Sequence, residues 1–251
     1  MIICPLCKNQ GRLIWKEKQY KVYRCKDCSV AFLHPAPETP EIIYSEKYFQ
    51  QWYIRYYKER KQYIEKLFTL IEKYIDKKGK LLDVGCGTGI LLEVAKEKGW
   101  DVYGQDIAPF AINYCRSKGY IVYDKPLPEL NLPEHSFDVI TMFDAIAHLK
   151  DPVFYVNTCV KLLKPGGYLI IKTPYHPPYL FFLANILSFT GKSRSLLHIP
   201  AQVFHFSEKS LILMLFTNFK LLKNKRINDF SSFNKKSKLK NISIINLWKK
   251  I

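Results

Sequence analysis

The sequence predicts a doubly wound α/β domain preceded by a small cysteine-rich module, and three observations carry that expectation. From Lys80 onward, short apolar runs that read as strands alternate with runs that read as helices. A glycine-rich turn, Gly85-Cys86-Gly87-Thr88-Gly89, joins the first of these strands to its helix. Ahead of them, Cys4, Cys7, Cys25 and Cys28 fall in two tight pairs. At 251 residues the chain is long enough for one such core and one accessory module.

Residues 1–40 read as the module and its linker. Two short β-like runs, 11–16 and 20–24, lie around the cysteine pairs, and His34-Pro35-Ala36-Pro37 with Pro40 beyond is a linker by composition. From Glu46 to Asp76, Phe49, Trp52, Tyr56, Tyr63, Leu67, Leu70, Ile71 and Tyr74 recur at roughly helical spacing, which predicts one long helix. Lys77-Lys78-Gly79 closes it, with cations suited to a helix C-terminus and a glycine to end it. Strands are then expected at 80–84, 101–105, 120–123, 137–143 and 168–173, with helices at 90–98, 109–118 and 152–163. Such alternation argues for a parallel sheet covered on both faces. An irregular apolar stretch follows to about Pro200, then a helix at 208–216 with Ser207 as its N-cap, and a strand at 219–225. The expected domain is 41–228, with a lid at about 175–206 and a basic tail at 229–251.

Composition narrows the class. Hydrophobic residues at 48% and charged residues at 24% are ordinary for a soluble globular protein. The N-terminus lacks the pattern of a signal peptide, and the longest apolar run, 179–189, is about half the length that spans a bilayer. A cytoplasmic protein is expected. The net charge of +17 favours polyanions: nucleic acid, an anionic membrane face or a phosphate-bearing substrate. From Lys220 to Ile251 there are ten Lys/Arg and one acid, Asp229. The stretch 242–251 is consistent with a docked helix or an interfacial one, and with 179–189 it allows a peripheral hold on the inner membrane face. Core packing and a cover for an apolar substrate are the other readings of 179–189. The sequence assigns no oligomeric state.

The segment from Leu81 to Ile90 is a buried strand, a glycine turn and a helix start. Glycines let the backbone turn sharply and let a ligand approach closely, and the helix behind them offers free N–H groups. A dinucleotide loop would want its third glycine at position 90, which is Ile. The third glycine is instead Gly89, a spacing that suits a ligand carrying an amino acid group, with Asp83 placed to meet its ammonium. Asp106 ends the second strand, where a carboxylate accepts bonds from both ribose hydroxyls.

On these residues the chain resembles the class I S-adenosylmethionine-dependent methyltransferases. Leu81–Ile90 looks like their first motif and Asp106 like their ribose acid. Ser136-Phe137-Asp138-Val139-Ile140 is similar to the entry of their fourth strand, and Leu163-Lys164-Pro165-Gly166-Gly167-Tyr168-Leu169 to the turn before their fifth. The resemblance, over about 45–225, implies a Rossmann-like seven-stranded sheet with its last strand antiparallel. It implies S-adenosylmethionine over the strand C-termini, held by Asp83, Gly85, Cys86, Gly87, Thr88, Gly89, Asp106, Ile107 and Phe143.

The acceptor would lie beyond the fourth strand, at Asp144-Ala145-Ile146-Ala147-His148. Asp144 and His148 share a face if helical and could orient an acceptor hydroxyl, with His148 as general base. The other reading makes His148 a packing residue. Similar quinone-biosynthesis methyltransferases read Glu-His here and hold a divalent metal, and Ala147 in place of that Glu argues against a metal at this point. His176 and His205 are further candidates to touch substrate, and relatives commonly carry His where Gln202 stands. The Asn/Asp-Pro-Pro-aromatic signature of enzymes that methylate base amino groups is missing after the fourth strand.

Cys4-x2-Cys7, seventeen residues, then Cys25-x2-Cys28 fits a tetrahedral, structural Zn²⁺ site, although Lys8 and Ser29 stand where such knuckles often place Gly. A zinc ribbon ahead of this domain resembles a bacterial group of small-molecule methyltransferases linked to sugar, surface-polysaccharide or lipid-type biosynthesis. The leading expectation is methyl transfer to a small-molecule acceptor, a sugar or lipid-linked intermediate. The alternatives are an RNA methyltransferase that uses the zinc module and basic surface, and a binding protein that retains the cofactor domain without catalysis.

Overall fold

The computed structural model describes residues 2–37, 44–190, 193–228 and 242–251. Its main sheet has seven strands: β5 (Lys80–Val84), β6 (Asp101–Gln105), β7 (Ile121–Tyr123), β8 (Phe137–Phe143), β9 (Leu163–Tyr175), β11 (Phe219–Asn228) and β12 (Ile242–Lys250). The order across the sheet is β11-β12-β9-β8-β5-β6-β7. Neighbours from β9 to β7 pair in parallel, and β12 runs antiparallel to both β9 and β11. This is the doubly wound, mostly parallel sheet that the alternating pattern predicts.

Each central strand feeds two buried layers because side chains alternate across a sheet. Leu82, Ile140, Leu169 and Ile171 face one layer. Leu81, Val139, Tyr168 and Ile170 face the other. Helices α3 (Ile90–Glu97), α4 (Pro109–Ser117) and α5 (Pro152–Leu162) connect the strands. Pro109 and Pro152 begin their helices, where a missing N–H costs nothing. Asp151 caps α5 by accepting from the Phe154 N–H at 2.9 Å. Ser207 caps α8 (Glu208–Leu215) in a reciprocal capping box with Ser210.

Three expectations need correction. Of the basic tail read at 229–251, residues 229–241 lie outside the described residues, but Ile242–Lys250 is β12, inside the sheet and neither tail nor helix. Ile244 and Trp248 enter one buried layer and Ile245 and Leu247 the other. A strand apolar on both faces shows no alternation, and two lysines at its end disguise it as a tail. The long helix read at 46–76 is broken into α1 (Glu46–Phe49), a π-turn at Gln50–Ile54 and α2 (Tyr57–Glu72). Tyr56, at φ −112° and ψ 29°, leaves the helical region between them. The apolar stretch read as irregular is helix α6 (Pro178–Leu187), and a short α7 (Ser193–Leu196) follows.

A second sheet holds the cysteine module, in the order β1 (Ile2–Ile3), β2 (Gln10–Glu17), β3 (Tyr20–Cys25), β4 (Ala31–Leu33) and β10 (Phe204–His205). Four of these strands come from the module, and β10 comes from the far end of the lid. Cys4, Cys25, Cys28, Val30 and Phe32 are buried in the same cluster as Leu82, Ile140 and Leu211 of the large domain. Trp15 and Val22, on the other face of the ribbon, pack with Phe181 and Ala184 of α6. The module is docked on the domain rather than tethered to it.

Candidate active site

The loop between β5 and α3 turns on three glycines with positive φ, Gly85 at 73°, Gly87 at 54° and Gly89 at 73°. At Gly89 the constraint is steric as well as conformational, since a Cβ there would lie 2.9 Å from the Cys115 Sγ. Asp106, just after β6, braces the loop from the side. Its carboxylate accepts from the N–H groups of Gly87, Ile107 and Ala108 at 2.8, 2.8 and 2.9 Å. Burial pushes the Asp106 pKa up, while those three donors favour its charged form.

Asp83 is buried at the end of β5 and accepts a 2.6 Å hydrogen bond from the Thr141 hydroxyl on β8. Burial pushes its pKa up to about 7. The buried Thr88 hydroxyl has no hydrogen-bond partner among the described residues. Both side chains line a cavity of about 340 Å³ above the C-terminal ends of the strands. A left-handed glycine turn, a free N-terminus of α3, a buried carboxylate and an unpartnered hydroxyl fit a ligand with an ammonium group and ribose-type hydroxyls.

An aromatic cap closes the other side of the loop. Phe49 and Tyr53 lie 3.8 and 3.5 Å from where a Cβ on Gly87 would be, and Phe49 stacks on Phe110 of α4. The Arg60 guanidinium sits 4.2 Å over the Tyr53 ring and donates to the Trp52 carbonyl at 2.7 Å. Tyr44, Tyr48, Trp52 and Tyr53 line the cavity from this side. The helical spacing of the aromatic run was legible in the sequence, but its position over the glycine loop was not.

The far half of the cavity is lined by Phe143, Asp144, His148, Lys172, His176, His198 and Gln202. Asp144 does not share a helix face with His148. It takes a left-handed turn (φ 59°) at the end of β8, and His148 ends a separate 3₁₀ turn. Its carboxylate accepts two bonds from Lys172 Nζ, at 2.8 and 2.6 Å, so its charge is already matched by a lysine that is 1% exposed. Lys172 was missed in the sequence, though a lysine inside the apolar run 168–173 was the available signal. His148 Nδ1 lies 2.8 Å from the Ala201 carbonyl, which only accepts, so Nδ1 carries the proton and Nε2 the lone pair. The Tyr44 oxygen, also at 2.8 Å, shares that N–H. Burial pushes the His148 pKa below the ordinary histidine value. The Gln202 Oε1 is buried without a partner among the described residues. His205 does not line the cavity; it lies behind His176, with the two Nδ1 atoms 3.3 Å apart.

Of the residues expected at the cofactor, Asp83, Gly85, Cys86, Thr88 and Phe143 line the cavity. Gly87, Gly89, Asp106 and Ile107 shape the loop beside it. In the module, the four sulfurs of Cys4, Cys7, Cys25 and Cys28 lie within 4.8 Å of one another, and none is in a disulfide. No other His, Cys, Asp or Glu group among the described residues is arranged to hold a metal.

Residues 53–217, well over half of the chain, match the family model described as a methyltransferase domain. The ubiquinone biosynthesis O-methyltransferase of Nitrosospira multiformis is 37% identical over 125 residues, 45% of this chain and 52% of that protein. That of Cereibacter sphaeroides is 37% identical over 113 residues, 43% and 46% of the two chains. The chain thus spans about half the length of the curated relatives it matches. Among solved structures, a SAM-dependent methyltransferase of Methanosarcina mazei superposes with a TM-score of 0.58 at 19% identity, over 72% of this chain and 97% of that one. One from Archaeoglobus fulgidus gives 0.57 at 19% identity, over 78% and 98%. At such identities the likeness is one of fold. By its family match and by its sheet, the chain belongs to the methyltransferase-domain family, built on the S-adenosylmethionine-dependent methyltransferase fold.

Proposed function

We propose that the chain methylates an oxygen of a small-molecule acceptor that carries an apolar or lipid-linked part. One observation carries the proposal: a single cavity joins the Asp83 and Thr88 end to the His148, His176 and Gln202 end. When bound, S-adenosylmethionine supplies an activated methyl group on a sulfonium. Asp83 would meet its ammonium, the 85–89 loop would seat its amino acid portion, and Asp106 would turn from bracing the loop to accepting from the ribose. Holding donor and acceptor in line supplies most of the rate. His148 then needs only to take the hydroxyl proton at Nε2, and its depressed pKa keeps that nitrogen free at neutral pH.

The match to quinone O-methyltransferases supports oxygen as the methylated atom. Support for an apolar acceptor comes from α6. Tyr179, Phe182 and Ile186 form one exposed stripe at 62, 70 and 56% exposure, and Tyr179 and Leu180 line the cavity. No helix among the described residues is long and apolar enough to cross a membrane.

Structural Zn²⁺ in the module belongs to the same proposal. Tetrahedral Zn–S bonds of about 2.3 Å put sulfurs roughly 3.8 Å apart. Cys4 and Cys28 lie at 3.6 Å and Cys7 and Cys25 at 3.3 Å, with all four sulfurs within 4.8 Å of one another, which supports one shared tetrahedral ion.

Incubation of the chain with methyl-labelled S-adenosylmethionine and a cell extract, followed by separation of RNA from small molecules and lipids, tests the substrate class. Once unreacted S-adenosylmethionine is removed, label is expected in a new product of the organic-soluble or small-molecule fraction that is absent without the chain. Label confined to RNA would overturn the proposal in favour of a polynucleotide substrate.

A further inference from the structure

Two of the three histidines that line the acceptor half of the cavity, His148 and His176, have different polarity, and the buried His205 behind His176 explains why. His205 is 3% exposed, and among the described residues its ring has one hydrogen-bonding contact, the Nδ1 of His176, at 3.3 Å. Its Nε2 is buried with no partner among the described residues. A proton on that Nε2 would make a buried N–H with nothing among the described residues to accept it, an unfavourable arrangement. Buried orphan donors are rarer than buried orphan acceptors. The His205 proton therefore sits on Nδ1 and is donated to His176 Nδ1. Both rings are kept neutral by burial, which pushes the His176 pKa down to about 3 and that of His205 well below the ordinary value. A neutral His176 that accepts at Nδ1 must carry its own proton on Nε2. That N–H makes no hydrogen bond with the described residues, and the ring lines the cavity.

The position of His205 is set by the cysteine module. β10 pairs with β4, with His205 opposite Ala31 and Phe204 opposite Phe32. Val203, just before β10, accepts from the Leu33 N–H and donates to the Ala147 carbonyl, both at 2.8 Å. Ala31 is three residues beyond Cys28, and the Cys25 N–H donates to the Val30 carbonyl at 2.9 Å. The Phe181 ring closes edge-on against His205, with centroids 5.4 Å apart.

We infer that His205 is a positioning residue: mounted by strand pairing on the four-cysteine module, it fixes His176 as a hydrogen-bond donor to the acceptor. The class of group recognised is an oxygen with a lone pair, such as a carbonyl, ether or phosphate oxygen. His148 and His176 then divide the work, His148 offering a lone pair and His176 an N–H. The module's part in this pair rests on the metal-site reading above.

Long-range ¹H–¹⁵N correlation on the full chain with ¹⁵N-histidine reads the tautomers directly, with no acceptor needed. The wild type is expected to show His205 protonated at Nδ1 and His176 at Nε2. His205→Phe should leave S-adenosylhomocysteine affinity unchanged while His176 becomes a mixture of tautomers. His205→Asn, which keeps an N–H near the Nδ1 position, should restore the single form. His205 protonated at Nε2 in the wild type, or His176 unchanged in His205→Phe, would overturn the inference. The wild-type tautomers decide it even if the Phe variant fails to fold. Stripping the metal with a chelator should also mix the His176 tautomers, and an unchanged spectrum would refute the mounting on the module. A chain that contains no metal when purified would instead sink the zinc reading, with the His205→Phe arm still deciding the histidine pair.

Discussion

At the scale of single residues, Asp83 is the group whose charge the proposed cofactor site must manage. It is buried, holds one hydrogen bond from Thr141, and keeps its proton up to about pH 7. A carboxyl with a raised folded pKa destabilises the empty protein as pH rises from its ordinary value toward 7, because folding then opposes ionisation. Ligand binding runs the other way, since an ammonium needs the carboxylate. Between pH 6 and 7 the ionised fraction grows from about a tenth to a half, so S-adenosylhomocysteine affinity is expected to rise about fivefold. Calorimetry at the two pH values checks this, and Asp83→Asn should bind more weakly with no such rise. An equal rise in the Asn variant would place the titrating group elsewhere. Asp83, the three glycines and Asp106 were legible in the sequence because a fixed spacing on strand, turn and helix start encodes them. Lys172 was not, since its partner Asp144 is 28 residues away and meets it only once β8 and β9 pair.

At the scale of elements, legibility followed periodicity and its ends. Residues 101–105 and 137–143 were read with their observed bounds because turn residues flank each run. The capping signal at Ser207 located the start of α8. β12 was missed because a strand with two buried faces has neither the period of an exposed strand nor that of a helix. Its weight in the fold can be measured. Trp248 is 1% exposed in the layer shared with Leu82, Ile140 and Phe204. Trp248→Ala is expected to cost about 3–5 kcal/mol in urea unfolding. A loss below about 1 kcal/mol would show that β12 contributes little to the core. The break of the aromatic helix at Tyr56 was also hidden, since the aromatic spacing continues across it. That break carries Tyr53 over Gly87 while α2 packs along α3.

At the scale of the whole molecule, the cysteine spacing revealed a module but not its docking. The β4–β10 pairing joins residues about 170 positions apart, and no local pattern encodes such a contact. It places the module behind the His176 end of the cavity, through His205 on β10, with no module residue on the cavity lining itself. The half proposed for the cofactor rests instead on the glycine loop and the parallel strands β5 to β9, which lie in the part of the chain that matches the family model. The most direct measurement on that half is calorimetric titration of the full chain with S-adenosylhomocysteine, beside a Gly87→Arg variant. Gly87 has positive φ, and its missing Cβ faces Tyr53 and Phe49, so an arginine would push into the space between loop and cap. The expected result is one site per chain in the wild type and no detectable binding in the folded variant. A folded wild type that binds nothing, or a Gly87→Arg variant that binds as well as wild type, would contradict the cofactor site described.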